Sequence, residues 1–115
     1  MIKVIDLAGA AQIANPAISD LVLERIAAIA DDIPFDSTVH GYFVIVEAGD
    51  TLAAINAKVG FDLLSRTVEI LADCGACWSL LYILDDSGFG AEIFVAKTVG
   101  MPPELLALCQ SRAHL

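Results

Sequence analysis

The segment from Gly41 to Gly60, GYFVIVEAGDTLAAINAKVG, constrains the fold more than any other part of the chain. Its apolar run predicts a strand over Val39 to Glu47 that is buried on both faces. Gly49 and Asp50 then predict a tight turn, and Asp50 or Thr51 caps a short helix that Gly60 ends. The segment therefore specifies a strand, a turn and a helix in that order, but it specifies no chemistry.

Local signals predict the other elements. Asn15-Pro16 is typical of a helix start, and the apolar spacing after it predicts a helix that ends at Asp32-Ile33-Pro34. Met1 to Ile5 is either a short strand or a lead-in to a helical turn. The remaining predicted elements are a second helix over Leu63 to Cys74 that Gly75 ends, strands over Trp78 to Leu84 and Ala91 to Lys97 joined by the loop Asp85 to Gly90, and a terminal helix after Pro103.

These elements together predict one domain over residues 1–115. The fold class is α+β, with a three- to four-stranded, mostly antiparallel sheet and helices packed against it. The sequence leaves the strand order open, and it also leaves open whether the strand over Val39 to Glu47 is parallel or antiparallel to its neighbours.

Composition excludes several kinds of partner. Six basic residues stand against fifteen acidic ones, and the net charge of −9 argues against binding to nucleic acid or to an anionic membrane. No apolar run approaches the ~20 residues that span a bilayer, and the N-terminus lacks the pattern of a signal peptide. We therefore expect a cytoplasmic protein. Because 57% of the residues are hydrophobic, we also expect that a homodimer, or binding to another protein, buries part of this surface.

The turn Gly49-Asp50-Thr51-Leu52, with Val44 before it and Gly60 after it, resembles the first half of a lysin-motif (LysM) domain. In that family a strand leads through GDTL into a helix, and the family binds polymers of N-acetylglucosamine. The resemblance implies a glycan site at Gly49, Asp50 and Thr51. The second half of the domain is not recognisable in this sequence, and a structural turn explains the same residues.

A longer stretch of the chain is similar to a family of small proteobacterial proteins that are often found on plasmids and other mobile elements. The likeness rests on HGYFVIVEAGDTLAAI, LDDSGFGAEIFVAK and PPELLALC, over about the C-terminal two thirds of the chain. It implies the same kind of fold and a bacterial cytoplasmic setting. It implies no activity.

Cys74-Gly75-Ala76-Cys77 has the CxxC spacing of redox and zinc-binding proteins. We expect the two cysteines at the C-terminal end of the second helix, where the helix dipole would raise a thiol pKa. A zinc site needs further ligands, which Cys109, His40 and His114 would supply only if the fold gathers them. Ordinary half-buried cysteines explain the pattern equally.

His40 precedes the first confident strand, and Asp36 lies four residues before it. The pair could perform acid–base chemistry, but a histidine bonded to the backbone at a strand entry explains the residue as well. Asp85 and Asp86 in the hairpin loop lack the ligand spacing of a calcium loop, so we expect solvated turn residues.

No cofactor, metal or catalytic residue follows from these patterns, and we expect no enzyme. The favoured hypothesis is a non-catalytic binding or accessory protein that acts through an apolar interface as a homodimer. The alternatives are glycan binding through Gly49 to Leu52 and a thiol protein that uses Cys74 and Cys77.

Overall fold

The computed structural model describes residues 1–30, 35–99 and 101–113. In this part of the chain, helices and strands follow one another in the order β1 (Ile2–Val4), α1 (Leu7–Ala10), α2 (Pro16–Ile29), β2 (Gly41–Val46), α3 (Leu52–Val59), β3 (Ile70–Asp73), β4 (Cys77–Ile83), β5 (Gly90–Ala96) and α4 (Pro103–Ala113).

The strands form one open, mixed sheet in the order β1-β2-β5-β4-β3. β2 runs parallel to β5, and the other neighbouring pairs are antiparallel. The predicted α+β class is confirmed, but the sheet has five strands where three to four were predicted. The prediction fell short because β3 was assigned to a helix.

Helices cover the two faces of the sheet unequally. Ile55 and Val59 of α3 and Leu105 and Cys109 of α4 pack against one face, in a core with alternate residues of β2, β4 and β5. The other face packs against α1 and α2, through Ala10, Ile18, Val22 and Ile26. We call these the α3/α4 face and the α2 face. Strand β2 is buried along its whole length, as its apolar run predicts.

The predicted caps explain where two helices begin. Asn15 Oδ1 accepts hydrogen bonds from the main-chain N–H groups of Ala17 and Ile18, at 3.0 and 3.3 Å, and so caps α2. Thr51 Oγ1 accepts from the N–H of Ala54 at 3.2 Å and caps α3. The predicted helix end at Asp32-Ile33-Pro34 lies outside the described residues.

The predicted second helix over Leu63 to Cys74 is wrong. The main-chain N–H of Leu63 donates to Asn56 Oδ1 at 3.0 Å, Asp62 holds a short turn, and the chain then extends into β3. The helical spacing of Leu64, Val68 and Leu71 was misleading because Leu64 is 46% exposed, whereas Leu63 is fully buried. Packing of Leu63 and Val68 into the core thus outweighs the local pattern.

Candidate functional site

The α2 face has an uncovered part beyond β5. Along β4, Leu80 and Tyr82 point into the α3/α4 core. Because side chains alternate along a strand, Leu81 and Ile83 project toward the α2 face. Ile70 pairs with Leu81 across the β3–β4 ladder and shares this face, and its side chain is 57% exposed. Cys77, at the start of β4, still packs in the α2-face core, whereas Leu81, Ile83 and Ile70 line an opening beside α2. The result is a groove of ≈ 400 Å³ between α2 and β3, which we call the open-face groove.

A charged cluster lies on the floor of the open-face groove. Glu92 is in the middle of the central strand β5, and its residue is only 7% exposed. Ser79 Oγ donates a hydrogen bond to Glu92 Oε2 at 2.5 Å. Arg25 of α2 places its Nε 3.3 Å from Oε1 and 3.4 Å from Oε2 of the same carboxylate. Within the described part of the chain, Glu92 is the charged residue that the fold buries.

The sheet register explains the position of this carboxylate. Glu92 lies between Phe43 of β2 and Leu81 of β4, and Leu81 in turn pairs with Ile70. Phe43 packs in the α2-face core and also borders the groove, which Leu81 and Ile70 line without belonging to that core. Glu92 therefore stands where the covered part of the face meets the open part. A buried carboxylate is costly unless it is paired, and Ser79 and Arg25 supply that pairing.

The contact with Glu92 leaves hydrogen-bond donors of Arg25 unused among the described residues. Arg25 uses Nε for Glu92, and its side chain is 37% exposed. Among the described residues, no hydrogen bond engages the Nη1 and Nη2 groups of Arg25. The arginine is thus held at Nε, and because the residue lines the groove, its remaining N–H groups are available to a ligand there.

One end of the open-face groove is formed by backbone. Gly41 and Gly90 pair where β2 and β5 begin, and Gly41 has a φ of +122°. A Cβ on Gly41 would lie 2.0 Å from the carbonyl oxygen of Gly90. Only glycine fits this contact, and a Cβ on Gly90 would likewise lie 2.8 Å from the carbonyl oxygen of Tyr82.

His40 lines the mouth of the groove, so one residue singled out from the sequence lies at this site. Its Nδ1 accepts a hydrogen bond from the main-chain N–H of Asp36 at 3.0 Å. The neutral ring therefore carries its proton on Nε2. The ring stacks on Phe35 with centroids 5.7 Å apart.

The Asp36 carboxylate is engaged elsewhere. It accepts hydrogen bonds from the Thr38 hydroxyl and main-chain N–H, which lower the pKa of Asp36. Because the imidazole meets the backbone of Asp36 and not its side chain, the arrangement is that of a histidine fixed at a strand entry.

Gly49, Asp50 and Thr51 lie at a different place, in the turn between β2 and α3. Asp50 accepts a hydrogen bond from the main-chain N–H of Glu47 at 2.8 Å and lies 3.3 Å from the N-terminal ammonium. A shallow depression of ≈ 410 Å³ separates this turn from the segment 101–104. Since the side chains of Asp50 and Thr51 already stabilise the turn and cap α3, local structure explains them, and glycan binding stays a prediction.

Cys74 and Cys77 flank the tight turn between β3 and β4, so their predicted place at a helix end is wrong. The turn forms at Gly75, with a φ of +85°, and the N–H of Cys74 donates to the carbonyl of Cys77 at 2.9 Å. Burial, followed by the neighbouring Cys74, raises the pKa of the Cys77 thiol to about 11. A reactive thiol needs a low pKa and access, and Cys77 has neither.

The candidate zinc ligands do not converge. Cys77 packs in the α2-face core, Cys109 packs in the α3/α4 core on the other side of the sheet, and His40 lies at the groove mouth. In residues 1–30, 35–99 and 101–113, no three His, Cys, Asp or Glu side chains lie close enough to hold a metal ion. His114 is outside the described residues.

The loop at Asp85 is organised by its own hydrogen bonds. Asp85 Oδ1 accepts hydrogen bonds from the hydroxyl and N–H of Ser87 and from the N–H of Phe89. These bonds, the Ser87 hydroxyl first, lower the pKa of Asp85. The exposed carboxylate thus closes the β4–β5 hairpin, which agrees with a turn residue.

Sequence reasoning missed the central members of the site, Glu92, Ser79 and Arg25. A signal was present, because Glu92 is the one charge within the apolar run GAEIFVA of a predicted central strand. A charge at such a position requires a partner, and that requirement points to a site. The partner itself is 67 residues away and could not be chosen from spacing.

Searches against family models, curated proteins and solved structures return no match to this chain. The resemblances to the lysin motif and to the small proteobacterial proteins therefore stay predictions. Across the described residues, no helix has both the length and the apolar character required to cross a membrane.

Proposed function

We propose that this protein is a non-catalytic binding protein, and that its open-face groove binds a small molecule with an apolar body. The observation that carries the proposal is an apolar groove that the described residues leave open, beside a buried carboxylate that Arg25 and Ser79 contact. Binding sites for small molecules have this composition, with mostly apolar walls and a few fixed polar groups. The volume of ≈ 400 Å³ lies within the range of such sites.

A small molecule fits this surface better than a protein segment does. The strand that borders the groove, β3, has four residues and ends in Asp73, and Glu69 precedes it. Charges that flank a short edge strand hinder the addition of a further strand. The groove floor, in contrast, offers Leu81, Ile83 and Ile70 to an apolar body.

The test is calorimetric titration with 1-octanol, a neutral probe with an apolar chain. We expect saturable binding. The binding free energy should become more favourable by about 0.8 kcal/mol for each methylene added from hexanol to octanol, because each methylene leaves water. Leu81→Asp should abolish binding, since it places a charge on the apolar floor. Leu64→Asp is the matched control, since Leu64 is exposed and lies outside the groove.

A second variant separates lost binding from lost folding. Ala72→Phe fills the groove from β3 without adding a charge, and it should also prevent octanol binding while circular dichroism shows an intact fold. Equal octanol affinity in wild type, Leu81→Asp and Ala72→Phe would contradict the proposal, as would no saturable binding to the wild type.

The homodimer expected from composition is kept as a part of this proposal. Its support is the exposure of large apolar side chains away from the groove, of which Leu7, at 61%, is an example. Light scattering coupled to size exclusion should give twice the chain mass of 12.1 kDa. A mass of one chain at all concentrations would contradict the predicted dimer, and it would not affect the proposal that the groove binds a small molecule.

A further inference from the structure

We propose that the ligand of the open-face groove is a small carboxylic acid, whose carboxylate binds the free edge of Arg25 and whose apolar body lies over Leu81 and Ile83. This inference rests on the proposed binding function and adds the chemical class of the ligand. It follows from which donors and acceptors of the charged cluster are already used.

The acceptors on the groove floor are occupied. Both oxygens of Glu92 lie within 3.4 Å of Arg25 Nε, and Oε2 also accepts from Ser79. A cationic ligand would have to share this carboxylate with Arg25 and would meet the positive guanidinium beside it. The groove therefore disfavours an ammonium group, although the protein as a whole has a net charge of −9.

The donors, in contrast, are available and fixed. Glu92 contacts Arg25 at Nε, and the residue lines the groove, so its Nη groups keep their fork geometry for a ligand. A guanidinium fork matches the two oxygens of a carboxylate, and such charge-assisted pairs are stronger than neutral hydrogen bonds. Glu92 and Ser79 are thus positioning residues for Arg25.

His40 offers a second oriented donor. Because its Nδ1 is bonded to the backbone of Asp36, its Nε2–H is the donating group, and the ring lies in the lining of the same groove. Two donors, each held by a partner on its other side, form a pre-organised receptor for an anion next to an apolar floor.

Charge balance also favours an acid. Arg25 and Glu92 neutralise each other, so a carboxylate adds a single negative charge to a groove whose lining holds both Arg25 and His40 as donors. The protein's net negative charge opposes anions only at long range, where salt screens it, whereas the contact with Arg25 acts at hydrogen-bond distance.

The experiment compares octanoate, 1-octanol and octylamine, which share one chain length and differ in the head group. Calorimetry should give octanoate an affinity about 10-fold above that of 1-octanol, as expected for one charge-assisted contact. Octylamine should bind more weakly than 1-octanol. Arg25→Gln should lower the ratio of octanoate affinity to 1-octanol affinity to about one, and Lys58→Gln, on the exposed side of α3, should leave that ratio at its wild-type value.

The outcomes separate this inference from the proposed function. Equal affinities for octanoate and 1-octanol, or tighter binding of octylamine, would overturn the inference while the groove remains a binding site. Arg25→Lys supplies a further readout, because it keeps the charge and loses the fork, and it should retain only part of the preference for octanoate. If none of the three probes binds, the proposed function itself is contradicted.

Discussion

The two faces of the sheet differ in how completely they are covered. On the α3/α4 face, Leu80, Tyr82 and Ile93 are fully buried in a continuous apolar core. On the α2 face, the core under α2 reaches Cys77 at the start of β4, whereas Leu81 of β4 and Ile70 of β3 line an open groove. The only buried charge among the described residues lies on the open side.

The difference indicates that the closed face stabilises the fold, whereas the open face can bind a ligand. A closed apolar face stabilises the fold through burial, and its close packing leaves little room for a ligand. The open face gives up part of that stabilisation, since Leu81 and Ile70 stay in contact with water. It also carries the polar groups that fix the orientation of a bound molecule. The predictions below test this division of roles.

The largest expected effect comes from adjacent leucines on opposite faces. Leu80→Ala should lower the free energy of unfolding by about 3 kcal/mol, because it leaves a cavity in the closed core. Leu81→Ala should lower it by less than about 1 kcal/mol, because Leu81 is already partly exposed. Urea unfolding of both variants measures the difference, and equal losses would show that the faces are equally closed.

The second effect concerns the buried ion pair. Arg25→Met should destabilise the fold by about 1 to 3 kcal/mol, because it leaves the Glu92 carboxylate buried with Ser79 alone. The double variant Arg25→Met, Glu92→Met should recover most of that loss, since it removes both charges.

The exposed pair of Lys97 and Asp73 is the control for this measurement. The two side chains are 34% and 50% exposed, so Lys97→Met should change stability by less than about 1 kcal/mol. If the double variant were less stable than Arg25→Met, Arg25 and Glu92 would not act as a pair.

A third prediction uses one buried cysteine on each face. Burial raises the pKa of Cys77 and of Cys109 from 9.0 to about 11. At neutral pH this reduces the reactive thiolate about 100-fold, so a Cys74→Ser variant should react with a thiol reagent far more slowly when native than when denatured. Rapid reaction of the native variant would mean that one of the cores opens.

The same shifts predict a loss of stability in alkali. The folded state binds these thiol protons more tightly than the unfolded state does. Their contribution is therefore complete below pH 9 and is lost as the pH rises through about 11. A Cys109→Ala variant should lose less stability over this interval than the wild type.

The smallest effect is expected at Asp85. Its pKa is lowered in the folded state, so its contribution is present above the ordinary value of 3.8 and is lost as the pH falls through the lowered value. In the Asp85→Asn variant, the melting temperature should fall less between pH 5 and pH 2 than it does in the wild type. An unchanged acid profile would show that the hairpin loop does not depend on this carboxylate.

Local sequence signals predicted most of the fold because those signals act within a few residues. The caps at Asn15 and Thr51 and the strand Gly41–Val46 are examples. β3 was missed because its apolar residues follow a helical spacing, and only packing against β4 decides its structure. The parallel pairing of β2 with β5 joins residues about fifty positions apart, and the chain pattern does not encode it locally.

The candidate site was less predictable than the fold, because it depends on contacts between residues that are far apart in the sequence. His40 was singled out from the sequence, but its place at a groove depends on α2 and β4. The sequence shows Glu92 as an isolated charge in an apolar strand, and its pairing with Arg25 exists only in the folded chain. Gly49 to Thr51 and the two cysteines have clear patterns, and those patterns are explained by turns.

Methyl-resolved NMR of the wild-type protein with octanoate tests the central claim most directly, because Leu80 and Leu81 report on the two faces separately. We expect saturable shifts at the methyl groups of Leu81, Ile83 and Ile70, with those of Leu80, Ile93 and Leu105 unchanged. Shifts that concentrate on the closed face, or no saturable shift in the groove, would contradict it.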